Sequence, residues 1–202
     1  FPDMLSSGAP LYGYISEGYW CDIGALPEYH KANIDLLNGR LNLGDLGERI
    51  GPDIWAGGPV SIEPDAQLFG PDYLGEEVKI KRGVVVQGPA VIRDYTILDN
   101  RARVHHSIIW RNCYIGEGAT LHGAVIGRQC SLKARSMVFE GAVVGDGTVV
   151  GADAIIQAGV KIWPDKEVET GATINHSVIW GSQGRRVLFG RYGVTGVVNV
   201  DL

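Results

Sequence analysis

The chain has 202 residues, 45% of them hydrophobic, with 29 glycines and a formal charge of −5. That apolar fraction excludes global disorder, and the acidic balance excludes a nucleic-acid surface, which needs clustered Lys and Arg to neutralise phosphates. No apolar run approaches the roughly 18 residues that a membrane span requires.

The chain starts at Phe1 without an initiator Met, shows no signal-peptide pattern, and stops at Leu202 inside an apolar run. A fragment of a larger protein is therefore expected. Cys21, Cys113 and Cys130 are odd in number and widely spaced, which argues against a disulfide framework or a zinc knuckle and for a reducing cytoplasm.

The first segment, residues 1–40, carries Gly13-Tyr14-Ile15-Ser16-Glu17-Gly18-Tyr19-Trp20-Cys21-Asp22-Ile23-Gly24. A helix is predicted next, with Pro27 in its first turn, Tyr29, Ala32, Leu36 and Leu37 on one face, and Gly39 as its stop. Residues 41–48 read as a linker.

Over residues 49–182, a large aliphatic residue recurs every six positions. One frame runs Ile50, Ala56, Ile62, Leu68, Leu74, Ile80, Val86, Ile92, Leu98, Val104, Trp110; a one-residue deletion moves it to Ile115 and Leu121. A second deletion starts Ile126, Leu132, Val138, Val144, Val150, Ile156, Ile162, Val168, Ile174, Trp180. This period fits neither an α-helix nor a long alternating strand. It fits short strands joined by sharp corners, three strands to a coil, each sending one large side chain inward. Two residues earlier, on the same strand face, the residues are small: Ala66, Ala90, Thr96, Ala102, Cys113, Ala119, Ala124, Cys130, Ser136, Ala142, Thr148, Ala154 and Ala172. Cys113 and Cys130 thereby read as inward packing residues. Asp72 and Lys166 break the rule, so bulged or splayed coils are expected near them. Glycine follows the large residue in Ile115-Gly116, Ile126-Gly127, Val144-Gly145 and Val150-Gly151, where corners are expected to need unusual backbone angles. Trp110 and Trp180 end the matching strings His106-Ser107-Ile108-Ile109-Trp110 and His176-Ser177-Val178-Ile179-Trp180. Both are expected to point inward, with Trp180 plugging the open end.

The repeat resembles the hexapeptide family, which implies a mainly β fold, a left-handed parallel β-helix. The first segment is similar to the end of the catalytic domain of sugar-phosphate nucleotidyltransferases, with the signature G-Y/F-W-x-D-I/T-G before a helix. The mannose-1-phosphate guanylyltransferase type matches best. That resemblance makes the N-terminal helical segment a remnant of an α/β domain and implies that Asp22 is a Mg²⁺ ligand in the parent enzyme. Hard carboxylate oxygens suit that ion. Residues 183–202, with Phe189-Gly190-Arg191-Tyr192-Gly193-Val194-Thr195-Gly196, resemble the start of phosphomannomutase-like domains. Those domains place an Arg where Thr195 stands, which puts mutase competence in question. The implied parent joins an NTP to a sugar 1-phosphate. Its glycine-rich nucleotide loop has no counterpart here, so the chain alone is expected to be inactive. The partners implied are the parent catalytic domain, the mutase-like domain and further copies of the chain.

Counting three faces to the coil places His105, His106, His122 and His176 on a single corner together with Glu140. A metal site or the general base of an acyl-CoA-dependent acyltransferase is the functional reading of this corner; a solvated or subunit-facing edge is the plain one. Stacked charged imidazoles repel, so at least one should be neutral near pH 7. The carbonic anhydrases of this fold use a histidine pair on one coil with a third from the next, and no pair here has that spacing.

Overall fold

The computed structural model describes residues 1–179, together with the backbone of Gln183–Gly184, Phe189–Gly190 and Gly193–Val194. Trp180, Thr195 and most of residues 183–202 lie outside the described residues, and so do the readings placed on them.

Two helices, α1 (Pro2–Ser6) and α2 (Leu26–Leu37), precede a solenoid of two- to four-residue strands. The helix expected after Gly24 is α2, with Pro in its first turn and Gly39 at φ 71° just beyond its end. The solenoid strands stack into three sheets, here faces A and B of eight strands each and face C of seven. Strand β1 (Glu48–Gly51) runs antiparallel to β2 (Ile54–Ala56) at the start of face A. Every later pairing within the three faces is parallel, from β2 against Asp72–Leu74 onwards. The architecture is a left-handed parallel β-helix.

Parallel stacking places equivalent residues of successive coils above one another, about 4.8 Å apart. Large inward residues therefore form three columns, and Leu74, Ile92, Ile109, Ile126, Val144 and Ile162 make up the one on face A. Nearly all are fully buried in one continuous core. Ile62, in the first strand of face B, is 37% exposed; Ile50 is a correction, since it lies in the antiparallel edge strand β1 and not in a coil, and is 39% exposed.

Trp110 is a correction. It is half-buried on the outside of the prism, and Ile109, fully buried, fills the inward position. The missing residue lies one corner earlier, where His105-His106 joins Val104 to Ser107. The preceding coil has three residues, Gln87-Gly88-Pro89, in that corner. His106 makes the shorter corner with φ at 48°, as Gly123 does one coil later at 54°. Ser107 then secures it, donating to the His105 carbonyl at 2.7 Å and accepting from the Ala124 N–H at 3.1 Å.

The glycines after large residues also have a different cause from the one expected. None of Gly116, Gly127, Gly145 or Gly151 has positive φ; the left-handed residues come two positions later, as at Gly118, Gln129, Gly147 and Asp153. The constraint is the next coil. A Cβ on Gly145 would lie 2.5 Å from the Pro164 nitrogen, and one on Gly116 would lie 2.8 Å from the Ala134 nitrogen.

Neither Asp72 nor Lys166 splays its coil. Asp72–Leu74 pairs in unbroken register with Ile54–Ala56 and Ala90–Ile92, and Glu167–Val168 stays paired with Val149–Val150. Lys166 is only half-buried, as a long side chain whose ammonium must keep water is expected to be. Asp72 is fully buried and neither carboxylate oxygen has a hydrogen-bond partner. Burial pushes its carboxyl up to about 7.

Outside the prism, α2 lies on face A. Leu37 meets Val91, Ile108 and Val125, and all four are buried; Tyr29, Leu46, Trp55, Tyr73, Trp110 and Val143 surround them. Trp110 is the centre of this contact. Its ring stacks on Tyr29 at 6.5 Å, and the Arg93 guanidinium lies 5.8 Å from it.

Two outcomes follow from these contacts. Asp72 has its carboxyl raised in the folded state, so that state binds more protons than the unfolded chain. The Asp72 contribution to stability is then greatest at acidic pH and falls as pH rises from about 4 to about 7. Asp72→Asn should flatten that slope and, at pH 8, stabilise the chain by on the order of 3 kcal/mol; urea titrations at pH 5 and pH 8 read both effects. Trp110→Ala should release α2 while leaving the coils intact. Amide exchange across Leu26–Leu37 should speed by about tenfold or more, equivalent to about 1.4 kcal/mol, with the solenoid amides unchanged.

Candidate functional site

The segment carrying Asp22 is held by a buried carboxylate on α2. Asp35 is 2% exposed and accepts from the Tyr19 hydroxyl at 2.9 Å and from Arg40 Nη1 at 3.1 Å, while Lys31, one turn earlier, closes a further ion pair. The Lys31 ammonium is the largest influence holding the Asp35 carboxyl below its usual range. This clasp ties Gly18-Tyr19-Trp20 to the helix, and the helix is itself fixed to face A. Between segment and helix runs a cleft of about 690 Å³, lined by Tyr19, Trp20, Ile23, Tyr29, Leu36 and Arg40 among others.

Asp22 itself is exposed, and its carboxylate lies beside Gly24, 3.7 Å from where a Cβ would sit. Among the described residues no group of three or more His, Cys, Asp or Glu converges to hold a metal ion. Mg²⁺ is typically held through one or two carboxylates, with waters and substrate phosphates filling the rest of its octahedron, and Asp22 offers one such carboxylate, open to solvent. Around Asp22 the apolar side chains are the conspicuous feature: Tyr12, Tyr14, Ile15 and Trp20 are each at least 80% exposed.

On the second candidate, the corner between faces C and A, His105 and His122 stand one coil apart in register. Their rings stack with centroids 4.8 Å apart and planes at 22°, and Phe139 extends the stack at 5.9 Å from His122. His105 Nδ1 lies 2.9 Å from Gln87 Oε1 on the preceding coil. Burial, then the neighbouring charges of His122, His106 and Arg103, hold the His105 imidazole below its ordinary range, so its neutral form is favoured at pH 7.

The remaining members do not join the stack. His106 is exposed and turns the corner with its backbone, while His176 is separated from His122 by the coils bearing Phe139 and Gln157. Stacking turns ring faces toward each other and leaves the nitrogens side by side, which suits neither a shared ion nor a relay between the rings. Sequence reasoning missed His30. Its Nε2–H donates to the His106 carbonyl at 2.7 Å, pinning α2 to the corner. The only signal for it in the sequence was its place beside Tyr29 on the docked helix.

Comparison with known proteins places this arrangement. The chain matches the family described as the GMPPB C-terminal domain over residues 68–179. Glucose-1-phosphate adenylyltransferase of Bacillus mycoides (strain KBAB4) is 29% identical over 175 residues, covering 83% of this chain and 38% of that protein. UTP–glucose-1-phosphate uridylyltransferase of Synechocystis is 32% identical over 133 residues, covering 64% of this chain and 34% of that protein. The chain thus spans less than two fifths of the length of these relatives. Among solved structures, the acetyltransferase domain of PglB from Neisseria gonorrhoeae FA1090 has a TM-score of 0.45 and 23% identity, over 62% of this chain and 53% of that one. The family match takes in more than half of the residues, and the chain belongs to the GMPPB C-terminal domain family.

Proposed function

We propose that this chain is the non-catalytic, assembly-directing part of a sugar-1-phosphate nucleotidyltransferase of the GDP-mannose-forming type. The observation that carries the reading is the docking of α2 on face A through Tyr29, Leu37 and Trp110. That contact, with the Asp35 clasp, fixes a segment rich in exposed aromatic and aliphatic side chains at a defined place on the solenoid. Apolar surface of this kind is covered by a partner in a stable assembly, and the partner proposed is the α/β catalytic domain. In such an assembly Asp22 would be one carboxylate of a Mg²⁺ site completed by that domain. The proposed reaction joins an NTP and a sugar 1-phosphate in the cytoplasm, and further copies of the chain are the proposed oligomeric partners. No helix among the described residues is long and apolar enough to cross a membrane.

Isothermal titration tests the reading. With Mg²⁺ present, GTP, GDP-mannose and mannose 1-phosphate should give no binding heat with this chain, and pyrophosphate release should be undetectable. Binding of acetyl-CoA alone would transfer the reading to an acyltransferase working at the histidine corner. Pyrophosphate release by the chain would overturn the non-catalytic assignment outright.

A further inference from the structure

One inward column, between faces A and B, has a chemistry that the other columns lack. Up the coils it reads Val78, Thr96, Cys113, Cys130, Thr148 and Lys166. Four of these side chains repeat one hydrogen bond, each donating to the carbonyl of the residue that follows the large inward residue on the next coil. Thr96 Oγ1 donates to Trp110 O at 3.1 Å and Thr148 Oγ1 to Trp163 O at 3.3 Å; Cys113 Sγ donates to Gly127 O at 2.9 Å and Cys130 Sγ to Gly145 O at 3.1 Å. The two thiols thus stand in for threonine hydroxyls. They differ from them in being directly stacked, since the strands that follow pair Tyr114 with Ser131, and the Tyr114 N–H reaches the Cys130 carbonyl at 2.9 Å.

Coil stacking sets the Cα atoms of such neighbours about 4.8 Å apart, inside the roughly 4.4–6.8 Å window of disulfides. Both side chains point the same way, into the prism, and both are free. From this geometry we infer that Cys113 and Cys130 form a reversible cross-coil dithiol–disulfide couple, oxidised by a small peroxide. The thiolate of Cys113 attacks a peroxide oxygen; the O–O bond breaks, leaving a sulfenic acid and hydroxide, which is protonated to water. The Cys130 sulfur then attacks the sulfenic sulfur, its thiol proton passing to the departing hydroxyl, which leaves as a second water as the S–S bond forms. In sum two thiols lose two protons and two electrons, and one hydrogen peroxide becomes two waters. The electrostatics favour this order of attack. The neighbouring Cys130 is the largest influence drawing Cys113 below the ordinary thiol range, whereas the neighbouring Cys113, followed by burial, raises Cys130. A peroxide is small enough to enter on brief opening of a corner, whereas the thiols, at 2% and 1% exposure, are closed to a protein disulfide.

The test uses the full chain with Cys21→Ser, which removes the third thiol. After treatment with hydrogen peroxide, intact mass should fall by 2 Da, and both thiols should be lost to alkylation under denaturing conditions. Trypsin cuts after Arg111, Arg128 and Lys133, so non-reducing digestion should yield peptides 112–128 and 129–133 joined, and dithiothreitol should separate them. The variant Cys113→Thr/Cys130→Thr keeps the donated hydrogen bonds and should keep the melting temperature while losing the 2 Da shift. Alanine, present at many equivalent inward positions, serves as a second replacement. Two alkylatable thiols surviving peroxide, or Cys113 recovered as sulfinic or sulfonic acid with Cys130 unmodified, would overturn the proposal.

Discussion

Everything in this molecule depends on one repeat distance. A parallel coil lies about 4.8 Å above the last, so each inward side chain must fit beneath a copy of its own position. Large aliphatics over large aliphatics and, in most coils, small residues over small residues satisfy this. The same distance governs what lies outside the prism. It stacks the imidazoles of His105 and His122, prohibits a Cβ at Gly116 and Gly145, and lines Val91, Ile108 and Val125 into the strip on which α2 rests.

The strip gives the fold its functional direction. Faces B and C carry mixed outer residues such as Lys79, Tyr114, Arg103 and Gln157. Apart from Asp72 within and Lys161 without, face A is largely apolar on both sides: inside for the core, outside for the helix. A sheet buried on both sides reads as continuous hydrophobic sequence, as in Ala90-Val91-Ile92 and Ser107-Ile108-Ile109. Trp110, displaced outward by the short corner before it, adds the aromatic surface that grips Tyr29. A one-residue contraction of the chain thus turns a would-be core position into the docking point of the N-terminal segment.

Much of the fold was legible because the period of six is carried by side-chain volume, which burial enforces coil after coil. Legibility stopped where two frames fit equally well. Between Val104 and Ile115 either Ile109 or Trp110 suits an inward position by hydrophobicity, and only the pairing of Ile109 with Ile92 and Ile126 decides it. The glycines were recognised as required, but coil approach and backbone angle leave the same trace in a sequence. Asp72 read as an irregularity of the chain path, whereas the strand register outweighs a single buried carboxyl and the strain appears as a displaced protonation equilibrium instead. For the candidate site, the common corner of the histidines followed from counting. The contacts of Asp35 with Tyr19 and of His30 with His106 did not, since they depend on how a helix sits on a sheet far away in sequence.

The footprint of α2 also divides the solenoid by its tolerance to change in length. Beneath the helix, from Tyr73 to Val125, residues of four successive coils must keep their spacing to meet Tyr29, Leu37 and Leu46 together. Beyond Val143, among the described residues, each coil packs on its neighbours. Duplication of one coil there would extend the rod by a single step and leave the docked end untouched. Evolution could therefore lengthen this spacer from its far end, moving whatever follows it outward in increments of one coil, without rebuilding the junction that holds the N-terminal segment.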